Sequence, residues 1–410
     1  MLHSRPGDTG TYSSQPGIEG SSPFHAHAWL IAGVAALLTV SGSDQVAKYL
    51  GAAGVGAYAA IVLIAVWCTH RWLVPRFWTM GRRTALALAI LTLVMAGLAF
   101  GVLYPLADAG VFGGGSDSDD ALNLATRALL HRQYPYHVRT YLGGPATYLP
   151  GSLLLALPFT ILGNAAYQNL FWMAVLLYVV ATIVDVRLAL LLVWTVLALC
   201  PRVGQLIITG GELLASGIYV PVAVLFAIEP PKLRWWNERW WLGCALLGLA
   251  LSSRINYVLL IPVVLAAIAR QRGWRRALES GAVIAATMIV VIGPFWVYDS
   301  AAFWLAGIEQ QNAAATHVLP SAHLLVPLLS AAFALAVAIP PGSSRSNLLL
   351  RCVAIQAFPV LLLIAVSSIQ RGAPSFVYAG YGIHFLFFGL LGLWAPFAIS
   401  PVSREHALLP

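Results

Sequence analysis

The chain alternates apolar runs with short polar breaks. Apolar stretches lie at about 26–40, 52–67, 84–103, 151–162, 166–184, 188–199, 213–227, 241–253, 254–269, 278–297, 323–340, 348–366 and 376–398. A bilayer core about 30 Å thick takes roughly 20 apolar residues as one helix, and several of these runs reach that length. The pattern predicts an all-α fold, a polytopic transmembrane helix bundle. Residues 1–24 are rich in Gly, Ser, Pro and Thr and read as a disordered tail without a cleavable signal. Residues 401–410 read as a second tail.

The breaks carry the sidedness. Arg71, Arg76, Arg82 and Arg83 form the first dense basic group. Lys232, Arg234 and Arg239 form a second, Arg270, Arg272, Arg275 and Arg276 a third, and Arg345 with Arg351 a fourth. Short loops rich in Lys and Arg stay cytoplasmic, so the run at 84–103 crosses outward and both termini lie inside. Between the outer loop at 106–150 and the second basic group, parity requires an odd number of crossings, yet four apolar segments occur. The short one at 151–162 is therefore read as re-entrant, which makes 140–165 a candidate cavity wall. The total comes to about twelve spans.

Composition agrees with this class. The chain is 60% hydrophobic and 9% charged, against roughly 25% charged in soluble domains. The net charge of +8 sits in short loops between apolar runs, which reads as topology and excludes nucleic-acid binding. Cys68, Cys200, Cys244 and Cys352 show no metal-ligand spacing and read as inert thiols.

Acidic residues are scarce, fifteen in 410, and three of them, Asp117, Asp119 and Asp120, fall within four positions of the outer loop. Clustered carboxylates at a membrane surface repel one another, which points to a role for them. Residues 120–130 have helical spacing, with Leu122, Ala125, Leu129 and Leu130 on one face. One Asp could simply cap this interfacial helix, although Ser118 can also serve. The helix leads into His131-Arg132-Gln133-Tyr134-Pro135-Tyr136-His137-Val138-Arg139, a mixture of cations and aromatics suited to a phosphate-bearing sugar or to an interfacial belt.

The stretch from Ser116-Asp117-Ser118-Asp119-Asp120-Ala121-Leu122 through Ala128-Leu129-Leu130 to Tyr134-Pro135-Tyr136 resembles the first outer loop of the GT-C glycosyltransferases. The run Pro150-Gly151-Ser152-Leu153-Leu154-Leu155 is similar to the segment that follows in bacterial members, among them mannosyl- and arabinosyltransferases. Weaker echoes are Gly210-Gly211-Glu212-Leu213-Leu214, Leu251-Ser252-Ser253-Arg254-Ile255-Asn256 and Pro294-Phe295-Trp296-Val297-Tyr298-Asp299. The likeness covers roughly 84–400, with residues 25–83 as two additional helices.

That resemblance implies a membrane enzyme moving a sugar from a polyprenyl-phosphate donor to a lipid or glycan acceptor on the outer face of a bacterial inner membrane, with inversion. It implies an Asp base, Asp119 first, then Asp117, then Asp120. It implies donor-phosphate ligands among Arg254, Arg139, Arg202 and Arg371, and acceptor or sugar contacts among Glu212, Tyr136, His137, Asn256 and His317. The outer loop 299–323, with Glu309, Gln310, Gln311 and Asn312, could cover the site. GT-C enzymes differ in metal use, and Asp117, Asp119 and Asp120 could hold Mg or Mn through oxygen ligands. The rival readings are a transporter or flippase of a lipid-linked intermediate and a non-catalytic envelope assembly protein.

Overall fold

The computed structural model describes residues 23–109, 111, 118–228, 239–304, 321–340, 342 and 344–398. Asp117, His317, the tails and the loops at 229–238 and 305–320, with Glu309, Gln310, Gln311 and Asn312, lie outside the described residues. Among the described residues the protein is all-helical. The elements are α1 (Pro23–Cys68), α2 (Val74–Thr79), α3 (Arg82–Asp108), α4 (Ser118–Leu130), α5 (Pro150–Ile161), α6 (Tyr167–Ile183), α7 (Val186–Leu199) and α8 (Pro201–Thr209). They continue as α9 (Leu213–Ile228), α10 (Trp241–Leu251), α11 (Ile261–Arg272), α12 (Trp274–Tyr298), α13 (Ala322–Ala338), α14 (Arg345–Arg371) and α15 (Ile383–Ala398).

Among the described residues six helices are long and apolar enough to cross a membrane, or up to seven if the bent pair α7 and α8 counts as one, and five further apolar helices are shorter. The protein is membrane-embedded: α3 turns Leu86, Ile90, Leu91, Val94, Met95, Leu98 and Val102 outward, a stripe that water would penalise. By contrast α9 and α15 are apolar on every side and form the centre. Every residue of α9 except Phe226 is buried, and Phe387, Phe388, Trp394 and Phe397 of α15 fill the space beside it.

The sequence pattern predicts two helices in the region of α1, and a break does divide it. Gly51 has φ 67° and ψ −172°, which only glycine adopts without strain. The Tyr58 hydroxyl lies 3.1 Å from Leu38 O and 2.6 Å from Leu199 O. In one straight helix residues 38 and 58 would stand about 30 Å apart, so the chain doubles back at Gly51. The first arm packs along α15: a Cβ on Gly389 would meet Leu37, and one on Gly382 would meet Ser41. The first arm runs on beyond the apolar stretch that marks it in the sequence, because the helix continues through Ser41, Ser43 and Asp44, with Ser41 and Asp44 against the 379–382 turn.

Hydrogen bonds sort the helix ends into two groups. At one end Arg side chains cap carbonyls: Arg187 Nη1 donates to Trp78 O (2.7 Å), Arg270 Nη2 to Ala338 O (2.6 Å), Arg272 Nη2 to Ile228 O (2.6 Å) and Arg351 Nη1 to Pro340 O (2.7 Å). Such contacts satisfy carbonyls that a helix leaves unpaired and suit its negative end. At the other end stand Asp44, Asp108, Asp119, Glu212, Arg254 and Asp299, joined through the contacts described below. Helices α3, α12 and α14 run from the first group to the second, each about 40 Å long. Helix α5 behaves otherwise, because both its ends belong to the acidic group: Ser152 reaches Glu212 and Thr160 reaches Thr126 of α4.

This two-ended arrangement sets a labelling pattern. In a protein freed of its native cysteines, Tyr49→Cys and Tyr298→Cys react with an impermeant thiol reagent from the same side of the membrane, and Trp274→Cys from the opposite side. Labelling of positions 49 and 298 from opposite sides would contradict the fold.

Candidate functional site

Helix α4 lies across the acidic end. Its apolar face, Ala121, Leu122 and Ala125, packs on Leu153 and Ala156 of α5 and on Ala165, with Leu129 at the margin. Leu130, expected on that face, is exposed. Polar stitches lock the helix: Asn123 Nδ2 donates to Asn164 Oδ1 (3.0 Å), Asn123 Oδ1 accepts from the Ala165 amide (2.8 Å), and the Thr126 and Thr160 hydroxyls meet at 2.8 Å.

This docking buries Asp119 in the first turn of α4. The Tyr104 hydroxyl, from the last turns of α3, donates to its Oδ2 at 2.7 Å. Burial raises the Asp119 pKa to about 6, with the neighbouring Asp120 and Asp108 adding to the rise against the opposing Tyr104 hydrogen bond. Asp108, Asp119 and Asp120 each bring one carboxylate oxygen within 4.8 Å of the others, a donor set that fits a hard divalent cation. Asp108 was not singled out in the sequence; it stands one helical turn after Tyr104, and only the folding of α4 onto α3 brings it in.

A second centre is built on Glu212, which precedes α9 and is fully buried. Its Oε2 accepts from Arg254 Nε (3.0 Å) and Nη2 (2.7 Å). Its Oε1 lies 3.0 Å from the Ser152 hydroxyl and 3.0 Å from the Tyr219 hydroxyl. Arg254 itself is in extended backbone between α10 and the short 3₁₀ turn Ile255–Leu260. The preceding corner is held to α5 by the Gly151 amide donating to Ser252 O (2.9 Å). The Arg254 guanidinium faces the Tyr148 ring at 5.5 Å, and its side chain keeps 16% exposure. Nη1 makes no bond to a described residue, so a cation pinned on one edge keeps donors for a ligand on the other.

The two centres share a wall. Gly210, at the end of α8, has φ +70°, and a Cβ there would come within 3.3 Å of the Asp119 Cβ, 3.1 Å of Tyr104 and 2.5 Å of Ala166. Glu212 follows two residues later. Asn169 Nδ2 ties this turn down by donating to Leu206 O and Gly211 O, both at 3.0 Å.

The other sequence candidates fall around this pair of centres. Tyr136 is buried with its hydroxyl donating to Tyr148 O (2.8 Å), which places it behind the ring that faces Arg254. His137 is exposed and lies 2.9 Å from Asp299 Oδ2. Amides of the following turn, Ala302 first, together with His137, hold the Asp299 carboxyl below its usual range. Asn256, two residues beyond Arg254, donates from Nδ2 to Gln356 Oε1 (2.6 Å). Arg139 is exposed in the turn closed by the Arg139–Pro145 bridge. Arg371 is exposed at the end of α14. Arg202 is brought to neither centre; it pairs with Asp44 of α1 (3.3 Å) and with Gln205 (2.6 Å).

Sequence reading also missed the buried pair beneath Arg254, in which the Tyr257 hydroxyl lies 2.6 Å from His384 Nδ1. Their separation of 127 residues leaves no local signal. Comparison with protein-family models, with curated proteins and with solved structures finds no match to this chain.

The Glu212–Arg254 pair generates a stability test. Removing one member of a buried pair strands the other charge and costs about 3–5 kcal/mol, whereas replacing both with apolar groups costs less. Glu212→Met and Arg254→Met are each expected to lower the unfolding free energy by about that amount. The double variant should lose clearly less than the sum, read by denaturation in detergent. Additive losses would mean that the two side chains do not couple.

Proposed function

We propose that this protein is a membrane glycosyltransferase that moves a sugar from a polyprenyl-phosphate donor to a hydroxyl of a lipid or glycan acceptor. The observation that carries the reading is the position of Asp119: a buried carboxyl with its pKa raised to about 6, at the same end of the bundle as a part-exposed Arg254 pinned by Glu212. A general base works best with a pKa near the working pH, and burial brings Asp119 there from the ordinary carboxylate range.

In the proposed step Asp119 takes the proton of the acceptor hydroxyl while that oxygen bonds to the anomeric carbon. The bond from that carbon to the phosphate oxygen breaks, and the oxygen leaves with the electron pair, so the anomeric centre inverts. Arg254 receives the phosphate charge through its free edge. Glu212 offsets part of the Arg254 charge, and its contribution is to fix the guanidinium plane before the substrate arrives. Were a divalent cation held by Asp108, Asp119 and Asp120, it would supply charge stabilisation for the leaving phosphate but would draw off the basicity of Asp119, so the base role assigned here belongs to the cation-free site.

The likeness to GT-C glycosyltransferases supports this assignment, and the placement of α4 on the acidic end agrees with it. Counting each arm of α1 with α3, α6, α7 and α9 to α15 as crossings, and α5 as non-spanning, gives about twelve spans. Under the positive-inside rule the acidic end then faces outward, across a bacterial plasma membrane, with both termini in the cytoplasm. The rival reading, a transporter of a lipid-linked intermediate, draws on the complete burial of Glu212 at the start of an apolar helix.

The deciding experiment is sugar transfer by purified protein in lipid, with labelled polyprenyl-phosphate sugars and an acceptor-lipid extract. Transfer should fall at least ~100-fold in Asp119→Asn, with donor binding kept. Asp119 must be ionised to act, so the wild-type rate should drop about tenfold per pH unit below about pH 6 and level off above it. Donor binding without transfer from any donor would favour the transporter.

A further inference from the structure

The first turn of α6 holds a glutamine with nothing to bond. Gln168 is fully buried, and neither its Nε2 nor its Oε1 has a hydrogen-bond partner among the described residues. Asn169 Oδ1 and Trp172 Nε1 are likewise buried and unpartnered. Native interiors leave few such atoms, because each unpaired group forfeits its hydration. Here four occur within five residues.

Three contacts locate this face of α6. Ala166, two residues before Gln168, meets the Gly210 turn that stands against Asp119. Asn169 holds Gly211 O, next to Glu212. Gln168 and Trp172 are four apart and share a helix face, and the Trp172 ring meets the Tyr219 ring at 5.4 Å. The hydroxyl of that same Tyr219 is 3.0 Å from Glu212 Oε1. Gln168 therefore sits in the turn that reaches the Asp119 corner through Ala166 and the Glu212 corner through Asn169 and Trp172.

We propose that Gln168 and Trp172, with Asn169 Oδ1, form a hydroxyl-binding subsite that takes the sugar ring of the substrate. The proposal rests on the transferase reading for the identity of the sugar-bearing molecule. The chemistry selects the ligand class. Gln168 Nε2 and Trp172 Nε1 donate, while Gln168 Oε1 and Asn169 Oδ1 accept. Neighbouring sugar hydroxyls each donate and accept, so they match this mixed set. A phosphate only accepts and would face two oxygens, and a prenyl chain would satisfy none of the four atoms.

The test measures binding of two probes to the full chain in nanodiscs, a short prenyl phosphate and the same lipid phosphate carrying one hexose. In Gln168→Leu the affinity for the hexose-bearing lipid should fall ~10-fold or more while that for the bare lipid phosphate holds. Without ligand, the melting temperature should stay level or rise, since an unpaired buried amide has been removed. Trp172→Phe keeps an aromatic ring beside Tyr219 and removes the N–H donor together with part of the ring, and it should show the same selective loss. An unchanged affinity ratio between the two probes in both variants would overturn the subsite, and a lowered melting temperature with that unchanged ratio would assign the amide to packing. Transfer is read separately. Hexose-selective binding without transfer would sink the transferase reading and keep the subsite, whereas transfer with an unchanged ratio would do the reverse.

Discussion

A buried carboxylate in an apolar bundle survives only when its oxygens are matched, and the matching of Glu212 organises this molecule. Its two oxygens draw on Arg254 from the corner after α10, Ser152 from α5 and Tyr219 from α9. These groups come from segments up to about a hundred residues apart, so satisfying one anion fixes the mutual position of three parts of the chain. Desolvating both charges works against the pair, and stability alone would be served as well by apolar side chains. What the pair supplies is orientation: a guanidinium held along one edge, with its other edge open at the acidic end of the bundle.

The rest of the site hangs from this frame. The Gly210–Glu212 segment passes from the Asp119 corner to the Glu212 corner, and Asn169 clamps it. Helix α8, which delivers this segment, meets α7 at 89° and is held at that junction by Arg202 against Asp44 of α1. The N-terminal hairpin thus braces the site from outside, and Arg202, a candidate phosphate ligand from its sequence position, stands within that brace. On the opposite side, the Tyr134 hydroxyl lies 2.8 Å from Phe295 O and 3.0 Å from Asp299 O, which joins the outer loop to the end of α12.

What the sequence makes legible follows from how local each signal is. Helices α3, α12 and α14 announce themselves as long apolar runs between basic breaks, and the corner at 252–254 shows as a Ser-Ser-Arg break. The continuation of α1 through Ser41, Ser43 and Asp44 is hidden, because polar residues at a helix end look like a loop until the glycines at 380 and 382 admit them. Helix α8 is hidden for a similar reason, being nine residues long and bent away from α7. Within the site, Asp119, Glu212 and Arg254 are visible as rare charges beside apolar runs. Asp108, Gln168 and His384 are not, since a single polar residue in an apolar helix acquires meaning only from partners far along the chain.

The Glu212–Arg254 centre is tested most directly by a structure of the protein in a lipid nanodisc with a non-hydrolysable prenyl-phosphonate sugar bound. The phosphonate should lie on the free edge of Arg254, with Glu212 still paired to the other edge, and the sugar between Asp119 and Gln168. A ligand seated elsewhere, or an Arg254 that has left Glu212 to reach it, would contradict the claim that this pair is the preorganised centre of the site.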